Sequence, residues 1–148
     1  MRKSIALILS ILFLVSCTKT AVKLDYPKDV SSLSPEDVVS LYFQAWNDKR
    51  YEVMYSLISD GFKQIEPTAK NFDEFKAYMS KFYETSSGIE VLEVKEIYNK
   101  ENETGINYKI AVISKNNERK EFSSTYTLKK RANGWKLIHP YGENIDTT

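Results

Sequence analysis

The chain changes rhythm at Gly88. Between Ser34 and Thr85 apolar residues recur at every third or fourth position, and from Ile89 to His139 they recur at every second. The first period belongs to helices with one buried face and the second to strands with one buried face. Ser34-Pro35-Glu36-Asp37 predicts a helix start. Ser34 can cap, Pro35 suits the first helical position, and the acids complement the positive end of the helix dipole. Val38, Leu41, Tyr42, Ala45 and Trp46 form the apolar stripe of this first helix, which Asn47-Asp48 closes. Tyr51, Met54, Tyr55 and Ile58 predict a second helix, stopped by Ser59-Asp60-Gly61. Phe62 to Pro67 breaks the period and is expected as a brief edge strand, because Pro67 cannot continue a ladder. Asn71 opens a third helix with Phe72, Phe75, Met79 and Phe82 on one face, ending at Ser86-Ser87-Gly88.

Four strand patterns follow. Ile89 to Tyr98 carries apolar residues on both parities, so a bulge is expected near Val91–Leu92. Ile106, Tyr108, Ile110 and Val112 alternate cleanly, as do Phe122, Ser124, Tyr126 and Leu128. Trp135, Leu137 and His139 make the last run. Asn99 to Asn102, Asn116-Asn117 and Asn133-Gly134 connect them, the last being a strong hairpin signal. The expected fold class is α+β: three N-terminal helices packed on a curved antiparallel sheet of about four main strands.

The start of the chain follows neither period. Arg2 and Lys3 precede the apolar run Ile5 to Val15, which is about half of the ~20 residues a spanning helix needs. A short basic start, an apolar core and small residues at the end make an export signal. Its last four residues, Leu14-Val15-Ser16-Cys17, resemble the lipobox of bacterial lipoproteins. That resemblance implies cleavage between Ser16 and Cys17 and a diacylglyceryl thioether on Cys17, with acyl chains such as palmitate. Two or more chains hold a protein on a membrane without a further anchor. The expected organisation is a signal peptide over 1–16, a lipidated Cys17 with a flexible tether to residue 33, and one domain over 34–148. The domain would face the periplasm or the cell exterior from the cell membrane or outer membrane. Thr18 lacks the retention Asp of many inner-membrane lipoproteins, which favours outer-membrane sorting where there are two membranes.

Charge and composition exclude more than they suggest. The chain has 21 Lys+Arg against 20 Asp+Glu. Loss of Arg2 and Lys3 with the signal leaves 19 against 20, too balanced for a nucleic-acid partner. A single Cys and a single His cannot build a Cys/His zinc site, and the five glycines are isolated, so neither metal nor other cofactor is expected. Ten Tyr, seven Phe and two Trp can build a core or line a pocket. His139, between Ile138 and Pro140, is expected to be structural.

From Ser34 to Tyr141 the chain resembles the nuclear transport factor 2-like superfamily, which includes the ketosteroid isomerases. The resemblance rests on Ser34 to Val39, Leu41 to Asn47, Tyr51 to Ser59 before Gly61-Phe62, and Asn133-Gly134-Trp135-Lys136-Leu137. It implies a cone-shaped fold, cystatin-like, in which a curved sheet wraps a helix and leaves a pocket at its open end. Tyr42, Trp46, Tyr108 and Tyr126 are the candidate pocket residues. By alignment with the isomerases, Tyr42 falls on the oxyanion-hole Tyr, Glu66 near the proton-moving carboxylate, and Tyr126 near the acid, where it departs from the family pattern. The leading expectation is a non-catalytic domain that binds a small apolar ligand or an envelope protein. The alternative is an isomerase- or dehydratase-type enzyme using Tyr42 and Glu66. A purely structural spacer domain, or one that dimerises through its sheet, is a third expectation.

Overall fold

A computed structural model describes residues 23–140. The expected signal peptide, with its expected cleavage after Ser16 and expected lipidation at Cys17, lies outside the described residues. Helix α1 spans Pro35–Asn47. Ser34 caps it as its sequence predicts, accepting from the Asp37 amide at 3.1 Å. Val38, Val39, Leu41, Tyr42, Phe43 and Ala45 are all buried, so α1 is enclosed on most sides and forms the centre of the domain. Helix α2 spans Tyr51–Leu57.

Two expectations for the helical half are corrected. Phe62 to Pro67 is not an edge strand. Helix α3 covers Asp60–Ile65, and a 3-10 turn follows over Pro67–Ala69. Ser59-Asp60 ends one helix and starts the next: the Ser59 hydroxyl accepts from the Phe62 amide at 2.9 Å, and Asp60 lies in the first turn. The third expected helix is two, α4 at Phe72–Ser80 and α5 at Phe82–Thr85. It ends earlier than Ser86-Ser87-Gly88 suggests, because Ser86 and Gly88 already pair with Ser114 and Ile113. Sheet pairing overrides local turn preference there.

Strands β1 Ser86–Lys100, β2 Glu103–Ser114, β3 Arg119–Arg131 and β4 Gly134–Leu137 form one antiparallel sheet in the order β1-β2-β3-β4. The register shifts between Val91 and Glu93, at the predicted bulge, and again at Ser86/Gly88 and Glu96/Tyr98. Bulges bend a strand and increase its twist, which curves the sheet around α1. β4 ends at Leu137, so His139 lies beyond the last strand rather than in it. Its ring turns instead toward Phe62, with centroids 4.9 Å apart.

Ile106, Leu128 and Leu137 from the sheet meet Leu41, Met54 and Leu57 from the helices in the core. β4 covers β3 only from Leu128 to Arg131, and β3 is exposed from Arg119 to Thr125. The segment from Lys23 to Leu33 contains no helix or strand, yet Leu24, Tyr26, Val30 and Leu33 pack against the core. It also crosses the β3–β4 turn. Gly134 has φ +98, and a Cβ there would lie 2.7 Å from the Ser31 Cα, so both the backbone and the crossing require glycine.

Candidate functional site

The predicted site residues fall in three places. Tyr42 on α1 and Tyr126 on β3 meet edge to face, with ring centroids 6.1 Å apart. Tyr108 on β2 stacks on Tyr126 at 4.8 Å and lies 4.9 Å from Phe43. The sheet register explains this meeting. Tyr126 pairs with Ile106, two residues from Tyr108, so the two tyrosines are diagonal neighbours on one face. α1 then presses Tyr42 and Phe43 onto them. Burial, followed by the charges of Tyr108 and Tyr78, pushes ionisation of Tyr42 upward. Tyr126 is raised well above the ordinary value by burial first, then by Tyr42 and Tyr108. Both hydroxyls therefore stay protonated at neutral pH, able to donate but not to act as bases.

Trp46, one turn further along α1, joins a different group. Its ring lies 4.8 Å from Phe82, its indole N–H donates to the Met79 carbonyl at 3.3 Å, and its own carbonyl accepts from the Tyr83 hydroxyl at 2.6 Å. It fastens α1 to α4 and α5.

Glu66 lies in the third place. Its Oε1 accepts from the Thr68 hydroxyl at 2.8 Å and the Thr68 amide at 3.2 Å, and its Oε2 lies 3.3 Å from His139 Nε2. None of these partners belongs to the tyrosine cluster. The two Thr68 bonds, then His139, hold the carboxyl below its ordinary range despite partial burial. Glu66 works here as the cap of the 3-10 turn. A carboxylate stabilised in this way is a weaker base.

One feature without a sequence signal is the burial of Lys136. It sits in β4 between Trp135 and Leu137 and is 5% exposed, its ammonium donating to the Ser56 carbonyl at 2.6 Å. It lines a cleft of about 530 Å³ between α2, α3 and the β3–β4 turn. Two shallower clefts lie elsewhere, one along Tyr26 to Val30 and one between Pro67 and Lys81. Among the described residues no group of three or more His, Cys, Asp or Glu side chains could hold a metal ion, and no helix is long and apolar enough to cross a membrane.

Comparison with known proteins agrees with this architecture. The NTF2-like N-terminal transpeptidase domain family matches residues 34–140. No curated protein matches the chain. The fold is similar to a SEC-C motif containing protein from Psychrobacter arcticus, with TM-score 0.55 and 12% identity over 76% of this chain. The chain covers only 63% of that structure. It is also similar to a SEC-C motif containing protein from Rhodopseudomonas palustris, with TM-score 0.54 and 14% identity over 74% of this chain and 78% of that one. An NTF-2 like protein of unknown function from Shewanella oneidensis MR-1 gives TM-score 0.52 and 11% identity over 69% and 90%. At such identities the structures report the fold alone. The family match spans the whole of the helical and strand region, from the cap of α1 to the residues after β4, and the chain belongs to the NTF2-like N-terminal transpeptidase domain family.

Proposed function

We propose that this protein is a lipid-anchored cell-envelope lipoprotein whose NTF2-like domain is a binding module displayed by its anchor, not an enzyme. The observation that carries the non-catalytic reading is that the two groups of the alternative mechanism are each engaged by different protein partners. Tyr42 is packed among Phe43, Tyr108 and Tyr126, while the Glu66 carboxylate is occupied by Thr68 and His139. An isomerase or dehydratase would need both groups on one substrate, in near-attack geometry. The family description, an N-terminal domain of transpeptidases, is compatible with a domain that accompanies chemistry carried elsewhere. The anchor reading rests on Leu14-Val15-Ser16-Cys17 at the end of a charged and apolar leader.

The experiment is membrane fractionation combined with intact mass measurement of the full chain and Cys17→Ala. The wild type is expected in the membrane fraction, cut before Cys17 and heavier by its acyl groups. Cys17→Ala should remain uncut and lose the acyl mass. A wild type with no acyl mass that is still retained overturns the anchor. Tyr42→Phe and Glu66→Gln are expected to leave envelope function intact, and loss of function in both would restore the catalytic alternative.

A further inference from the structure

The outer edge of β3 is open over most of its length. The ladder between β2 and β3 keeps one unbroken register. In such an antiparallel ladder, residues that bond the neighbouring strand alternate with residues that point away from it. The Ser114 amide donates to the Glu118 carbonyl at 2.9 Å and the Lys130 amide to the Asn102 carbonyl at 2.9 Å, which fixes the phase at both ends. Lys120, Phe122, Ser124 and Tyr126 therefore spend their backbone groups on β2, and Arg119, Glu121, Ser123, Thr125 and Thr127 aim theirs outward. The Ile138 amide reaches the Thr127 carbonyl at 3.0 Å, and there the pairing stops. Continued in register, the next partner of Thr125 would be Pro140, which has no N–H to give. Among the described residues, none bonds the outward amides and carbonyls of Arg119, Glu121, Ser123 and Thr125. Phe122, in the middle of this edge, is 43% exposed.

We propose that this edge pairs antiparallel with the same edge of a second copy of the chain, in the register that sets Phe122 against Phe122 on the two-fold axis. Two conditions select that register. Outward residues must oppose outward residues, so that each N–H meets a carbonyl, and like charges must not stand directly opposite each other. With Phe122 on the axis, Arg119 opposes Thr125, Lys120 opposes Ser124 and Glu121 opposes Ser123, and every outward residue both donates and accepts. Moving the register by two residues in one direction sets Glu121 against Glu121. Moving it in the other sets Arg119 against Thr127, whose carbonyl already accepts from Ile138. The contact is isologous, and Phe122 gains an aromatic partner at the close spacing of a non-hydrogen-bonded pair. The charges along the edge are matched within each copy. Glu121 meets Lys109 at 2.6 Å and also Arg119, Arg119 reaches Glu90 at 3.2 Å, and the Lys120 ammonium lies 5.2 Å from the Phe122 centroid. Such charges discourage indiscriminate edge pairing, and this register opposes none of them to its like. One strand from each copy makes a small interface, so association is weak and follows concentration. The pairing rests on β3 and β4 alone and holds with or without a lipid anchor.

The test is hydrogen exchange of the full chain, read amide by amide by NMR after exchange at about 1 mM and about 10 µM protein, concentrations that bracket a weak dimer, with sedimentation alongside. The amides of Arg119, Glu121, Ser123 and Thr125 should exchange about fivefold more slowly at the higher concentration, while those of Lys120, Phe122 and Ser124 stay protected at both. Ser123→Glu should weaken association about tenfold, because it sets a carboxylate against Glu121 twice in each dimer. Within its own chain the new side chain stands opposite Lys109, so the monomer keeps its fold. Ser123→Pro, which removes an outward N–H and no bond to β2, should weaken association through the backbone instead. Outward amides slowed equally at both concentrations would assign the edge to a segment of the same chain. Fast exchange at both would leave the edge unpaired, and a dimer that forms without slowing them would pack through another surface. Each of these results overturns the pairing, as does a Ser123→Glu protein that associates as tightly as the wild type.

Discussion

Gln44 and Leu24 exchange two hydrogen bonds. The Gln44 side-chain amide donates to the Leu24 carbonyl at 2.6 Å, and its carbonyl oxygen accepts from the Leu24 amide at 2.8 Å. One side chain thus pairs with a backbone as a neighbouring strand would. It does so 20 residues away, on the helix at the centre of the domain. Nearby, the Tyr26 hydroxyl donates to Asp48 at 2.9 Å, and Lys23 pairs with the same carboxylate at 3.1 Å. The stretch from Lys23 to Tyr26 is thereby laid along α1.

Gln44→Leu removes both bonds and leaves the Leu24 backbone groups to find water. Two neutral hydrogen bonds at about 1 kcal/mol each imply a loss of about 1–2 kcal/mol. Hydrogen exchange over residues 23–33 should accelerate, with α1 itself little changed. Exchange unaltered at Leu24 would show that apolar packing of Leu24, Val30 and Leu33 holds the segment without this pair.

Tyr42 invites a substitution with the opposite sign. Burial and the charges of other tyrosine hydroxyls account for its raised ionisation, with no hydrogen bond among the causes. A buried hydroxyl without a strong partner costs desolvation and returns little. Tyr42→Phe keeps the ring contacts with Phe43 and Tyr126 and is expected to leave stability unchanged or raise it by up to about 1 kcal/mol. Denaturant unfolding measures this. A loss beyond 1 kcal/mol would mean that the hydroxyl is bonded in solution and that the cluster encloses water or ligand.

Features written in neighbouring residues were legible in the sequence. Ser34 and Asp37 lie three apart and meet as a cap. The phase change at Val91–Leu92 is a bulge because side chains must keep their face when the register slips. Ser59-Asp60-Gly61 was ambiguous, since the same polar residues can stop one helix and cap another. Only the docking of Ile58 on Leu137 fixes where the chain turns. Glu66 and His139 are 73 residues apart, and no local pattern joins them. Lys136 carries no local signal of burial, because its burial depends on the end of α2, where the Ser56 carbonyl accepts from its ammonium. The alternation that puts Tyr108 and Tyr126 on one face was legible, whereas the partners of Trp46 and Glu66, distant in sequence or in a turn, were not.

Glu66 ties stability to pH. Its folded value lies below the ordinary 4.5, so the folded state gives up the proton more readily than the unfolded chain. The resulting stabilisation is complete above 4.5 and is lost as pH falls through the folded value. Glu66→Gln should flatten this part of the acid limb and leave stability at higher pH only slightly lower, because Gln can still accept from Thr68. Thermal melts at stepped pH report both curves. The same acid slope in the variant as in the wild type would assign it to other carboxylates.

Gly105 makes room for an aromatic ring. In the β1–β2 register it faces Tyr98, and a Cβ built on it would overlap the ring, lying 2.6 Å from Cδ1. The ring covers the glycine where a side chain would otherwise stand, and its hydroxyl reaches Glu103 at 3.3 Å. Gly105→Ala must displace Tyr98, and overpacking of this kind costs about 1–3 kcal/mol. Since Tyr98 is only half-buried and can swing outward, the lower end is expected. Tyr98→Ala alone should also destabilise, by uncovering the strand at Gly105. In the double variant the clash no longer exists, so its loss should be smaller than the two single losses added together, by about 1 kcal/mol or more. Simple additivity in that cycle would place the ring away from Gly105 in solution and remove the steric reason for glycine at this position.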